Sequence, residues 1–170
     1  YTGFPGIQNM IGATDEEIQS WLDGTQNPDH DFSEYFTPQS QDHLIVFMRT
    51  RLINTDLIID PDTRQALGDK ANGADLYNIE CEICHGGDGR LINFGNGANP
   101  VYLGDVAVRN PWRALHKIRF GHPGSNMPSA AELDFLLGDV ADVLAFTQDL
   151  PLAQPLTEDE LLEGQPRMPN

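Results

Sequence analysis

The sequence predicts an all-α fold, on three observations. Apolar residues recur at three-to-four spacing in several segments. Those segments begin at recognisable caps and end at glycine or proline. No β-α-β pattern surrounds the only cysteine pair, Cys81 and Cys84. With 170 residues, 39% of them hydrophobic, the chain is long enough for one domain with a real core, or a small domain plus an extension.

Thr14-Asp15-Glu16-Glu17 is a capping box, in which Thr14 caps and Glu17 reaches back. Ile18, Trp21 and Leu22 then share one helical face, and Gly24 ends the helix. Residues 24–36 carry a loop signature of Asn-Pro, Asp and His30-Asp31. Thr37-Pro38 opens a second helix, with Leu44, Phe47, Met48, Arg51 and Leu52 as its stripe. Leu57-Ile58-Ile59 reads as extended, and Asp60-Pro61-Asp62 as a turn. Gly68-Asp69 opens a third helix over about 71–83. Residues 86–110 hold glycines at 86, 87, 89, 95, 97 and 104 and read as one long loop. A loop of that length needs a functional reason, and a large flat cofactor to drape over is one. Pro111 starts a fourth helix with Trp112, Leu115 and Ile118 on one side. A second loop, 121–128, precedes a last helix over about 137–149, closed by Pro151. Residues 152–170 read as a loose, acidic, Pro-rich tail.

The net charge is −16. That argues against nucleic acid and favours partners with a basic docking surface, or a high-salt, extracytoplasmic setting. Residues 1–70 carry 12 acids and 4 bases, 71–128 five of each, and 129–170 nine acids and one base. The middle is therefore balanced between two acidic flanks. Simple solubility is the competing explanation. No run of 18 apolar residues marks a membrane span. The start at Tyr1, with no charged and apolar leader, reads as a mature form whose export signal is absent.

Cys81-Glu82-Ile83-Cys84-His85 is a C-x-x-C-H stretch, the signature of covalent attachment of a c-type haem. Each thiol can add to one vinyl group, and the adjacent imidazole can reach the iron from the same side. Three other chemistries compete. A thioredoxin-like dithiol wants its cysteines at a helix N-terminus, whereas this pair ends a helix. A zinc site wants a fourth ligand and usually a second paired knuckle, and no further Cys exists. A structural disulfide leaves His85 without a role. Iron in such a site takes a second axial ligand. Met127 lies 42 residues beyond His85, in a loop bounded by Pro123 and Pro128. Its neighbours do not repeat like a packed helix, unlike those of Met48, which reads as core.

From Gly68 to about Pro151 the chain resembles a bacterial class I monohaem c-type cytochrome. The likeness is carried by Gly68-Asp69, Gly73, Tyr77, Cys81, Cys84 and His85. Asn99-Pro100-Val101-Tyr102-Leu103-Gly104, Met127-Pro128 and Asp142-Val143-Leu144-Ala145-Phe146 extend it. It covers about half the chain, and residues 1–67 depart from it, as does Asn99 where the family has glycine. The resemblance implies a helical domain around one covalent haem c at 68–151, an N-terminal helical extension at 1–67 and the tail at 152–170. By the same likeness, Gly73 and Tyr77 pack against Val143 and Phe146 where two helices cross.

The resemblance further implies that His85 and Met127 are the axial ligands and that the Pro100 carbonyl orients His85. Trp112, Arg113 and Arg119 are candidates to bond the haem propionates, with ordinary surface and packing roles as the alternative. His116 or His122 in place of Met127 would give bis-His iron. His/Met iron has no open position, which suits a soluble one-electron carrier rather than an enzyme. The runner-up is the cytochrome subunit of a larger redox complex, docked through residues 1–67. A haem enzyme or gas sensor would need labile iron. Attachment by this motif occurs outside the bacterial cytoplasm, so the family-implied location is the periplasm.

Overall fold

A computed structural model describes residues 7–157 and residue 160. Among these residues the chain is helical apart from two isolated bridges. It divides into two compact units between Thr55 and Asp56. No helix among the described residues is long and apolar enough to cross a membrane.

In the first unit a 3-10 turn at Ile7–Met10 precedes α1 (Asp15–Leu22), a second 3-10 turn at Pro28–His30 and α2 (Pro38–Thr50). The capping box at α1 forms as the sequence implies. Glu17 N donates to Thr14 Oγ1 at 3.2 Å, and Thr14 N donates to Glu17 Oε2 at 2.8 Å. The core is Met10, Ile18, Leu22, Ile45 and Met48, with Trp21, Phe32, Leu44 and Leu52 partly buried against it. The stripe on α2 differs from the expected one. Ile45 is buried, and Phe47 is 49% exposed. At 100° per residue, Ile45, Met48 and Leu52 share an arc that Phe47 falls outside. The loop after α1 folds back, with Phe32 N donating to Leu22 O at 2.8 Å.

The second unit starts earlier than the sequence placed it. Ile58 and Ile59 are buried, and Ile59 pairs with Ala66 in an antiparallel bridge. The Gln148 side chain then staples this hairpin to the end of the last helix. Its Oε1 accepts from Ala66 N at 2.8 Å, and its Nε2 donates to Arg64 O at 2.9 Å and Ala107 O at 3.1 Å. Residues 58–67 therefore belong with the C-terminal helices and not with the N-terminal extension.

Among the described residues five α-helices build this unit: α3 (Lys70–Glu80), α4 (Glu82–His85), α5 (Leu103–Arg109), α6 (Pro111–Phe120) and α7 (Leu137–Thr147). Asp69 caps α3, accepting from Ala71 N at 2.8 Å. Helices α3 and α7 cross at Gly73, where an added Cβ would lie 2.0 Å from Asp142 O and 3.1 Å from Phe146 Cβ. The Tyr77 and Phe146 rings meet beside it at 5.1 Å. On α7, Val140, Ala141, Val143, Leu144 and Ala145 are buried. Fully buried Tyr77 completes this core.

Helix α5 corrects the expectation of an unbroken loop over 86–110. Its Gly104 reads in sequence as a breaker. In the fold it is a contact, because a Cβ there would come within 2.5 Å of Leu150 O. The third helix also stops sooner than expected, at Glu80, and the Cys pair straddles the break before α4. The start of the tail is pinned rather than loose. Asp105 accepts from Ala153 N at 3.0 Å, Arg109 donates to Gln154 O at 3.2 Å, and Arg109 Nε pairs with Glu160 at 2.8 Å. Residues 158, 159 and 161–170 lie outside the described residues.

Candidate haem-attachment site

The end of α3 and the turn of α4 present the motif. Cys81 O accepts from Cys84 N at 3.2 Å and His85 N at 3.0 Å, closing one tight turn. Both thiols are free; Cys81 is half-buried and Cys84 exposed. Burial, and then the Glu80 and Cys84 charges, push the Cys81 thiol up to about 11. Burial also lowers His85 below the usual imidazole value, which favours the neutral ring that a metal requires.

The segments after His85 are held onto this turn. The buried Tyr77 hydroxyl donates to Gly86 O at 2.6 Å, and Leu91 N donates to His85 O at 2.9 Å. Burial, followed by nearby Cys81, Glu82 and Asp88, raises the Tyr77 phenol, so it stays a donor. Gly86 and Gly89 take positive φ, 79° and 71°, which side-chain-bearing residues rarely adopt. Asn93 Oδ1 accepts from Gly95 N at 2.9 Å and Val101 N at 3.0 Å, folding the loop so that Phe94 and Val101 pair. The Phe94 ring comes 6.1 Å from that of His85.

Two features of this neighbourhood fit a large apolar group with a metal at its centre. His85 Nδ1 is buried and has no hydrogen-bond partner among the described residues, which is costly for a polar atom that stays unpaired. Ile79 (71%), Ile83 (83%), Leu91 (68%) and Phe94 (48%) bracket the motif and remain exposed. Exposed large apolar side chains gathered near one feature are informative in a way that scattered ones are not. Among the described residues no three His, Cys, Asp or Glu side chains cluster as metal ligands. A haem iron would draw only His85 from that set.

The other sequence candidates are distributed unevenly. The Pro100 carbonyl takes no bond from His85 Nδ1. Pro100 and Arg113 instead come together around a cavity of about 290 Å³, which Val101, Asp105, Arg109 and Gln154 also line. Trp112 is half-buried on α6, and Arg119 lies with its guanidinium carbon 5.9 Å from the centre of the Phe120 ring. Met127 is half-buried, in contrast to core Met10 and Met48. Its loop is braced at both ends. His122 N donates to Met127 O at 3.4 Å, and Met127 N donates to Ser125 Oγ at 3.2 Å. Beyond it, Glu132 Oε2 accepts from Ser129 N at 2.7 Å and Ser129 Oγ at 2.8 Å. His116 and His122 are exposed, and the His116 ring lies 4.8 Å from Phe120.

Sequence reasoning missed Phe94 and the Tyr77 hydroxyl bond. Tyr77 stood out only as a packing residue, although its place one turn before Cys81 puts its oxygen within reach of the motif. No family model, curated protein or solved structure matches the chain.

Proposed function

We propose that this protein carries one haem c and transfers single electrons as a soluble carrier, exported to the periplasm, rather than acting as an enzyme. The observation that carries the reading is the C-x-x-C-H turn with a half-buried His85 whose Nδ1 has no hydrogen-bond partner among the described residues. When bound, the haem supplies an Fe(II)/Fe(III) couple. Cys81 and Cys84 would hold it through thioether bonds, and His85 and Met127 would bind its iron, leaving it no position for substrate. Phe94, whose ring lies 6.1 Å from that of His85, would help to exclude water from its face.

One experiment tests this. The chain is produced with an export signal in a host that attaches haem, and its mass and pyridine haemochrome spectrum are recorded. One haem per chain is expected, lost in Cys81→Ala/Cys84→Ala. The oxidised protein should show the weak far-red band of thioether-ligated ferric haem, lost in Met127→Ala. A colourless product from a host that matures a control cytochrome rules the reading out. A second reading, a subunit of a larger redox complex, is favoured by one observation. Residues 7–55 build their own core yet leave Tyr35 79% and Phe47 49% exposed. Co-purification with a catalytic subunit would select it.

A further inference from the structure

The chain has 26 acids, yet residues 106–131 contain none. The same stretch holds Arg109, Arg113, Lys117 and Arg119, four of the ten Lys and Arg, so its formal charge is +4 in a chain of −16. Helix α6 turns this composition into a stripe. At 100° per residue, Arg113, His116, Lys117 and Phe120 fall on one side, opposite buried Pro111, Ala114 and Leu115. Arg113, His116 and Phe120 are exposed, and Lys117 is half-buried. Arg109 is already held by Asp105 and Glu160, whereas Arg113 and Lys117 have no ion pair among the described residues.

The helix accounts for part of this. Lys117 and Arg119 sit in its last turn, where the dipole favours cations. Arg113 sits in the first turn, where the dipole disfavours them, so helix stability gives no reason for it. The stripe also ends at the candidate iron ligand's loop. Ala130 N donates to Ile118 O at 3.1 Å, and a Cβ on Gly121 would lie 2.7 Å from Met127 O.

We propose that the α6 stripe is the docking surface for an acidic redox protein, a partner opposite in sign to the one the whole-chain charge suggests. The proposal rests on the electron-transfer reading. Screening over about 8–10 Å makes a docking partner answer to nearby charges rather than to the molecular total. An exposed Phe120 beside Arg113 matches the enrichment of aromatic residues and arginine at protein interfaces, which favours a protein over a lipid surface.

The test uses haem-loaded protein, Lys117→Glu and Arg51→Glu. Arg51 is an exposed residue at the end of α2, and each variant takes the net charge to −18, from −16 − 2. The second-order rate of oxidation by hexacyanoferrate(III), a small trianion, is measured against ionic strength. In a parallel arm, poly-glutamate is titrated while backbone amide shifts are followed, a readout independent of electron transfer. The wild-type rate should fall as salt rises. Lys117→Glu should lower the low-salt rate about fivefold, and Arg51→Glu by less than about twofold. Poly-glutamate should shift amides over Arg113–Phe120 in the wild type and not in Lys117→Glu. A rate that rises with salt, or equal effects of the two variants, overturns the proposal. So do α6 shifts produced by phosphatidylglycerol vesicles but not by poly-glutamate, which would assign the stripe to a membrane surface. A chain that takes no haem gives no rate and sinks the electron-transfer reading, while the poly-glutamate arm still decides the surface.

Discussion

Replacing Gly73 with alanine adds one methyl group at the crossing of α3 and α7. Helix propensity alone predicts a gain of about 0.5–1 kcal/mol. The structure predicts the opposite sign. The new Cβ would sit 2.0 Å from Asp142 O and 2.5 Å from Asp142 C, both backbone atoms that cannot rotate aside. An ordinary contact begins near 3.4 Å, so the helices must part by about 1.4 Å along that line. Overpacking of this kind costs about 1–3 kcal/mol. Parting the helices also weakens the Tyr77–Phe146 ring contact, worth about 0.5–1.5 kcal/mol. It stretches the bonds by which Asp142 accepts from Asp69 N at 2.7 Å and Asn72 Nδ2 at 2.8 Å. The net expectation is a loss of about 2–4 kcal/mol. The assay is urea unfolding followed by Trp112 emission in a Trp21→Phe background, so that the second unit reports alone. Gly138→Ala is the control, because nothing lies within 4 Å of a Cβ there, and it should be neutral or gain up to about 1 kcal/mol. A Gly73→Ala protein as stable as its parent would refute the close approach of the two helices.

Two further predictions concern the site's surroundings. In chain made without haem attachment, the Cys81 thiol, raised to about 11, is about one part in a thousand thiolate at pH 8. Iodoacetamide should therefore label exposed Cys84 first, with Cys81 catching up only in urea; equal native rates would contradict the burial. Glu132 has its carboxyl held below the usual glutamate value by the Ser129 backbone and side-chain hydrogen bonds. With a lowered folded value, the stabilisation is complete above the ordinary glutamate range and is lost as pH falls through the folded value. Amide shifts at Ser129 and Ala130 should thus hold steady through the ordinary glutamate range and move only below it, whereas Glu132→Ala should show the moved positions already at pH 7. Identical pH profiles for the two proteins would break the link.

Much of this fold is legible because short-range chemistry decides it. Thr14 with Glu17, Thr37 with Pro38 and Asp69 fix their helix starts whatever the tertiary context, and a glycine in a helix announces a close neighbour, as at Gly73. Gly104 obeys the same rule, but its neighbour is Leu150, 46 residues further on. A glycine among glycines reads as loop until that partner is known. The boundary after Thr55 is hidden for a similar reason, since residues 58–67 are assigned by Gln148, a residue with no local signature. At the candidate site the motif itself is plain, being contiguous. The orphaned Nδ1 of His85, the Phe94 ring and the exposed apolar set emerge only once separate segments are brought together.

Gln148 also bears on the order in which the second unit assembles. Its three hydrogen bonds join residues separated by 82, 84 and 41 positions. No pair of neighbouring elements can make them alone, and each must await the closure of a long chain segment. A clasp of this kind is expected to fasten after the helices have met, so Gln148→Ala should speed unfolding more than it slows folding in stopped-flow urea experiments.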